Sequence, residues 1–168
     1  MTEYLKSILI SQFEASLSMM KLRVKACREE FWEGKVANET FRQSAYHALF
    51  YLDLCLTEHE DIFELSNLNK LGGDDREAGP CRGLSKQQTL EYIEFCHTKI
   101  LSSVGKETSE SLQGDSGFSW RKHSRGELHI NNIRHFQHHV GQLSTYLRRV
   151  SDENNLSLEL LWVGMGWK

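Results

Sequence analysis

The chain has 168 residues, a formal net charge of −3 and a hydrophobic fraction of 39%. It shows no basic excess that would indicate a nucleic-acid-binding surface, and no run of about 18 apolar residues that would indicate a membrane span. No signal peptide is recognisable, so the four widely spaced cysteines are expected to be reduced thiols of a cytoplasmic protein. The length fits one domain over residues 1–168.

Four long helices are predicted from apolar residues that recur at steps of three and four. Thr2 is expected to cap the first, and Gly105 is expected to end the third. The predicted ranges are about 2–28, 38 or 40–57, 85–104 and 127–150. With no convincing strand, the pattern predicts an all-α fold, a four-helix bundle with long connections and a short C-terminal tail. Periodicity does not choose between up-down and crossover topology.

Two connections and the tail add further expectations. Residues 66–83 contain GGDDREAGPCRG, which is turn chemistry and predicts a loop. Residues 106–126 form an unusually long polar connection around Phe118 and Trp120, which is expected to shape a substrate pocket. The apolar tail, residues 152–168, is expected to pack on the domain or on a partner, and this motivates the hypothesis of a homodimer.

The last predicted helix carries four of the eight histidines. His135 and His139 are four residues apart, so they lie one turn apart on the same flank of the apolar stripe and can share one metal ion. His138 lies nearly opposite the stripe and is expected to face solvent. His129 falls on the stripe, where it either packs or lines the cavity. The remaining three are expected to be ordinary residues and not ligands: His59 at a solvated helix end, His97 on the third helix and His123 on a loop.

His47 lies at the edge of the apolar stripe of the second helix. If that helix faces the last one, three imidazoles converge, and three histidines with an open position form a catalytic type of metal site. Zinc, nickel, iron and manganese are all compatible with such ligands. The alternative is that these are amphipathic histidines hydrogen-bonded at the edge of the bundle. Asp53 lies on another face of the helix and is a poor partner for His47.

The run RHFQHHVGQLSTYLR resembles the last-helix signature of the DinB-like superfamily of metal-binding four-helix bundles. The matching positions are His135, His139, the pair Gly141-Gln142 and the pair Leu147-Arg148, and His47 matches by position within FRQSAYHALFYLDL. The resemblance implies the family's crossover bundle, with one divalent metal held by His47, His135 and His139 and completed by water. Some relatives are transferases in which the metal activates a low-molecular-weight thiol. Val140 departs from the family pattern, which frequently has arginine there.

Three functions follow from these observations. The first is a metal-dependent enzyme, a thiol-dependent transferase or hydrolase that acts on a small-molecule substrate or thiol. The second is a non-catalytic metal-binding stress or sensory bundle. The third is a structural dimeric bundle without metal. No established catalytic motif such as GxSxG, a Walker loop or HExxH is present in the sequence, so no catalytic residue is assigned.

Overall fold

Helices dominate the structure, a computed structural model that describes residues 1–77 and 81–168. The six helices in these ranges are α1 (Thr2–Ala26), α2 (Phe41–Leu56), α3 (Asn67–Gly72), α4 (Lys86–Lys106), α5 (Ser109–Gln113) and α6 (Arg125–Glu153). No strand occurs in the described residues, which contain only two isolated bridges. The all-α prediction is therefore confirmed for this part of the chain.

Side-chain caps explain where most of the helices begin. Each hydroxyl accepts a hydrogen bond from a backbone N–H of the first turn, and each is part of a capping box. The capping residues are Thr40, Ser66, Ser85, Thr108 and Ser124. The box of Ser124 and Glu127 starts α6 at Arg125, two residues before the predicted start. The predicted cap at Thr2 is wrong, since Met1 occupies that position and makes no side-chain bond.

The two predicted loops each contain a short helix. α3 and α5 have six and five residues, too few to show a helical period in the sequence. The expected end of the third long helix at Gly105 is also wrong, because α4 continues to Lys106. A glycine inside a helix costs only about 1 kcal/mol, so tertiary packing can override it.

Four long helices enclose one apolar core. α1 packs against α4 and α6, and α2 packs against the same two helices. The core includes all four cysteines, which are buried free thiols. Its largest fully buried side chains include Phe13, Phe41, Tyr46, Phe50, Tyr92 and Phe136.

Two polar residues of α6 fix its register against α2. Arg125 donates hydrogen bonds to the carbonyl oxygens of Leu56 (3.2 Å) and Thr57 (2.8 Å) at the C-terminal end of α2. Helix ends leave such carbonyl groups without partners inside the helix. Two turns further along α6, Asn132 donates to the carbonyl oxygen of Leu52 at 3.2 Å. The start of α6 therefore lies beside the end of α2, and the two helices run antiparallel.

Glu107 balances the buried charge of Arg125. Its Oε1 lies 2.9 Å from Nε of Arg125 and 2.8 Å from Nε2 of His129, and its Oε2 accepts from Ser111 at 2.5 Å. Burial raises the pKa of Glu107, but the hydrogen bonds from His129, Ser111 and Arg125 outweigh it and bring the pKa to about 2. Burial lowers the pKa of His129, so this fully buried imidazole is neutral and donates from Nε2.

The C-terminal tail packs on the domain, which is one of the two alternatives that the sequence predicted. Arg23 donates to the carbonyl oxygen of Leu161 at 2.8 Å, and the Trp167 ring stacks on His97 with 4.1 Å between centroids. Trp162 and Met165 remain exposed, and the homodimer stays a prediction. Within residues 1–77 and 81–168, no helix is both long and apolar enough to cross a membrane.

We expect Glu107→Gln to lower the free energy of unfolding at pH 7 by about 3 kcal/mol, because it leaves the buried Arg125 cation without its counter-charge. The folded pKa of about 2 lies below the ordinary value of 4.5, so this stabilisation is present above pH 4.5 and is lost as the pH falls towards 2. The difference from wild type should therefore narrow between about pH 6 and pH 3. Urea unfolding followed by circular dichroism measures it.

Glu110→Gln is the matched control, because Glu110 is exposed in α5. It should leave the free energy of unfolding close to wild type at every pH. A Glu107→Gln deficit that stays constant from pH 6 to pH 3 would contradict the assigned ion pair.

Candidate metal centre

The register of α2 and α6 places three histidines at one level. His47 precedes Leu56 by nine residues, and His135 follows Arg125 by ten. At a rise of about 1.5 Å per residue, both lie roughly 14–15 Å from the contact between Arg125 and the end of α2. His139 follows one turn later on the same flank of α6. The structure thus brings together the three histidines that the sequence singled out.

We call these three side chains, His47, His135 and His139, the histidine cluster. Their spacing suits a single metal ion. One ring nitrogen of each lies within 4.8 Å of the others. The Nε2 atoms of His135 and His139 are 3.2 Å apart. Two nitrogens bound to tetrahedral zinc at 2.0–2.1 Å lie roughly 3.3–3.4 Å from each other. The pair on α6 therefore already has the separation of two ligands.

The α6 imidazoles are held in the form that binds metals. Burial, followed by the neighbouring charge of His47, lowers the pKa of His135 to about 4. Burial, followed by the charges of His135 and His47, lowers the pKa of His139 to about 3. Both rings are neutral at pH 7, and metal binding requires neutral imidazole. A metal cation at this point would therefore meet nitrogen lone pairs and would not have to displace the proton of a charged imidazolium ring.

Asp75 orients the third imidazole. Its Oδ2 lies 2.5 Å from Nδ1 of His47, and its side chain is only 8% exposed. The carboxylate accepts a hydrogen bond from the Nδ1–H of His47. The lone pair of His47 is therefore on Nε2, the nitrogen that remains available to the cluster. Carboxylate partners of this kind fix the ring orientation of metal-binding histidines and raise their basicity. Asp75 lies 28 residues from His47 in the sequence and was interpreted there only as part of a turn.

A buried polar network holds the segment that carries Asp75. Gly72 lies against the Tyr46 ring, where an added Cβ would come within 2.3 Å of Cε2, so only glycine fits. Tyr46 donates to the carbonyl oxygen of Gly73 and lies 3.3 Å from that of Asn69, and Asn69 donates to the hydroxyl of Tyr92 at 2.5 Å. Tyr92 in turn donates to Asp53 at 2.7 Å. Asp53 thus faces away from His47, as predicted, and supports the site from the core.

Two aromatic residues form a wall beside the histidine cluster. The Tyr51 ring lies 4.9 Å from the His47 ring and 5.7 Å from the His135 ring, between centroids. Trp120 follows at 6.4 Å from Tyr51. The connection over residues 106–126 therefore reaches the site, as its length suggested. We call Tyr51 and Trp120 the aromatic wall.

The aromatic wall borders a cleft of about 380 Å³, which is also lined by Leu54, Glu60 and Arg76. A larger cavity of about 790 Å³ lies around Glu107 and Arg125 and includes none of the three clustered histidines. The lining of the smaller cleft does not include these histidines either, but the cleft adjoins the site, because its Tyr51 contacts His47 and His135.

The other histidines lie apart from the cluster. His138 is exposed on α6, as predicted, and His59 is exposed after α2. His129 joins Glu107, and His97 lies 2.9 Å from Glu14. Within residues 1–77 and 81–168, no second group of three potential ligands meets the same distance limit.

Comparisons with protein-family models, with curated proteins and with solved structures found no match for this chain. The DinB-like resemblance therefore depends on the residues that carry it: the two histidines of α6 with their following residues, and His47 with its surroundings in α2.

We expect Asp75→Asn to weaken metal binding by about 10- to 100-fold, because the amide loses the negative charge that makes His47 a stronger donor. The change keeps the side-chain shape and all three imidazoles. Competition with a chromogenic chelator measures the dissociation constant.

Asp74→Asn is the control, since Asp74 pairs with Arg76 at 2.6–2.9 Å and not with a histidine. Its metal affinity should stay near that of wild type. Equal affinities of Asp75→Asn and wild type would show that Asp75 does not support the site.

Proposed function

We propose that this chain binds one divalent metal ion through His47, His135 and His139 and uses it in catalysis. The observation that carries the proposal is the convergence of three ring nitrogens within 4.8 Å, two of them on neutral imidazoles already spaced as ligands. The carboxylate of Asp75 on His47 supports the same assignment. Three protein ligands leave a coordination position for water or substrate.

The proposal includes a four-helix bundle of the DinB-like type. The matching residues in α6 and the position of His47 in α2 support it, as does the packing of the four long helices around one core. Imidazole ligands are compatible with zinc, nickel, iron and manganese, and the proposal extends to any of them.

The reaction class proposed is thiol-dependent transfer or hydrolysis. A divalent ion on three neutral ligands keeps its full charge and lowers the pKa of a bound water or thiol, which creates a nucleophile near neutral pH. The cleft of about 380 Å³ favours an enzyme over a non-catalytic metal-binding bundle, since it offers room for a substrate beside Tyr51, whose ring contacts His47 and His135.

Metal analysis of protein purified without a histidine tag tests the binding proposal. We expect about one metal ion per chain in wild type, and loss of that metal in His139→Ala, since it removes one of three ligands. His138→Ala is the matched control, because it removes an exposed neighbouring imidazole of the same helix. Metal-free wild-type protein, or full metal content in His139→Ala, would refute the assignment.

Turnover of a panel of thiols and electrophiles, with and without a chelator, tests the catalytic proposal. Activity should require metal and should be lost in His139→Ala but retained in His138→Ala. Stoichiometric metal without turnover of any substrate pair would favour the non-catalytic alternative.

A further inference from the structure

Arg121 is a cation at the edge of the aromatic wall that has no carboxylate partner in the described part of the chain. Its Nε is buried and has no hydrogen-bond partner, and within residues 1–77 and 81–168 its guanidinium enters no ion pair. Buried charged donors are normally satisfied, because leaving one unpaired costs a large desolvation penalty. A guanidinium presents its donors as a planar fork that matches a carboxylate. The side chain is thus suited to an anionic ligand.

The position of Arg121 connects it to the histidine cluster. Its Cζ lies 4.7 Å from the centroid of the Trp120 ring. Trp120 contacts Tyr51, and Tyr51 contacts His135.

Two charged residues, Arg76 and Glu60, line the cleft. Arg76 forms two hydrogen bonds to the carboxylate of Asp74, at 2.9 and 2.6 Å. Glu60 accepts from the backbone N–H of Ser119 at 3.1 Å. Arg121 is therefore the cation near the aromatic wall whose donors remain for a ligand.

We propose that the metal centre acts on a small carboxylic acid, whose carboxylate binds the guanidinium of Arg121 and whose apolar body lies against Tyr51 and Trp120. This inference rests on the proposed function and specifies its substrate class. The aromatic wall selects a planar or apolar body. One guanidinium with free donors matches one carboxylate.

Isothermal calorimetry with zinc-loaded protein tests this inference, using 3-phenylpropionate and its uncharged analogue 3-phenylpropionamide as probes. Wild type should bind the acid about tenfold or more tightly than the amide, as expected for a charge-assisted bidentate contact. Arg121→Gln should lose that preference and keep the affinity for the amide. Arg121→Lys keeps the charge without the planar fork and should give an intermediate preference.

Arg134→Gln is the matched control, because it removes the same charge from an exposed position of α6 beside the cluster. It should retain the full preference for the acid. Equal binding of acid and amide by wild type would overturn the inference without any variant. A preference that survives in Arg121→Gln would also overturn it, since the carboxylate would then bind elsewhere, for example to the zinc.

The outcome is separable from that of the proposed function. Metal content is measured for every variant, and Arg121→Gln should retain the wild-type content because Arg121 is not a ligand. Protein that takes up none of zinc, nickel, iron and manganese would refute the proposed function, whereas the comparison of acid with amide, made on that metal-free protein, would still decide the role of Arg121.

Discussion

Arg125 binds the carbonyl groups at the end of α2, and the alignment of His47 with His135 and His139 depends on this contact. A shift of one helical turn between α2 and α6 would move His47 by roughly 5.4 Å relative to His135 and His139. The three ring nitrogens could then no longer share an ion. Glu107 matters for the same reason, because its carboxylate compensates the guanidinium that sets the register, and His129 donates to that carboxylate. Charge compensation near one end of the helix pair thus supports the geometry of the histidine cluster two to three turns away.

A second buried network performs the corresponding task for Asp75. The path from Asp53 through Tyr92 and Asn69 to Tyr46 links α4 and α2 to the segment that carries Asp75. The imidazole of His47 is therefore oriented by the core and not by solvent. Preorganisation of this kind lowers the entropy lost when a metal or substrate binds.

The sequence predicted features that depend on local spacing and missed those that depend on register. The separation of four residues between His135 and His139, and the exposure of His138, follow from helical periodicity alone. The partnership of His47 with that pair was only conditional, because helix-to-helix register depends on Arg125 and Asn132. Asp75 could not be found, since its contact spans 28 residues and its segment has the composition of an ordinary turn.

The histidines and part of the lining of the cleft lie on different kinds of structure. All three histidines are on long helices, as are Tyr51 and Leu54 of the cleft, whereas Arg76 and Trp120 of the cleft and the neighbouring Arg121 are on the connections. Connections tolerate substitution and insertion far better than packed helices do. The part of the cleft lining on these connections can thus change during evolution while the helices that hold the histidines stay under constant constraint. The same separation makes the connections the positions at which the cleft can be altered without moving the histidines.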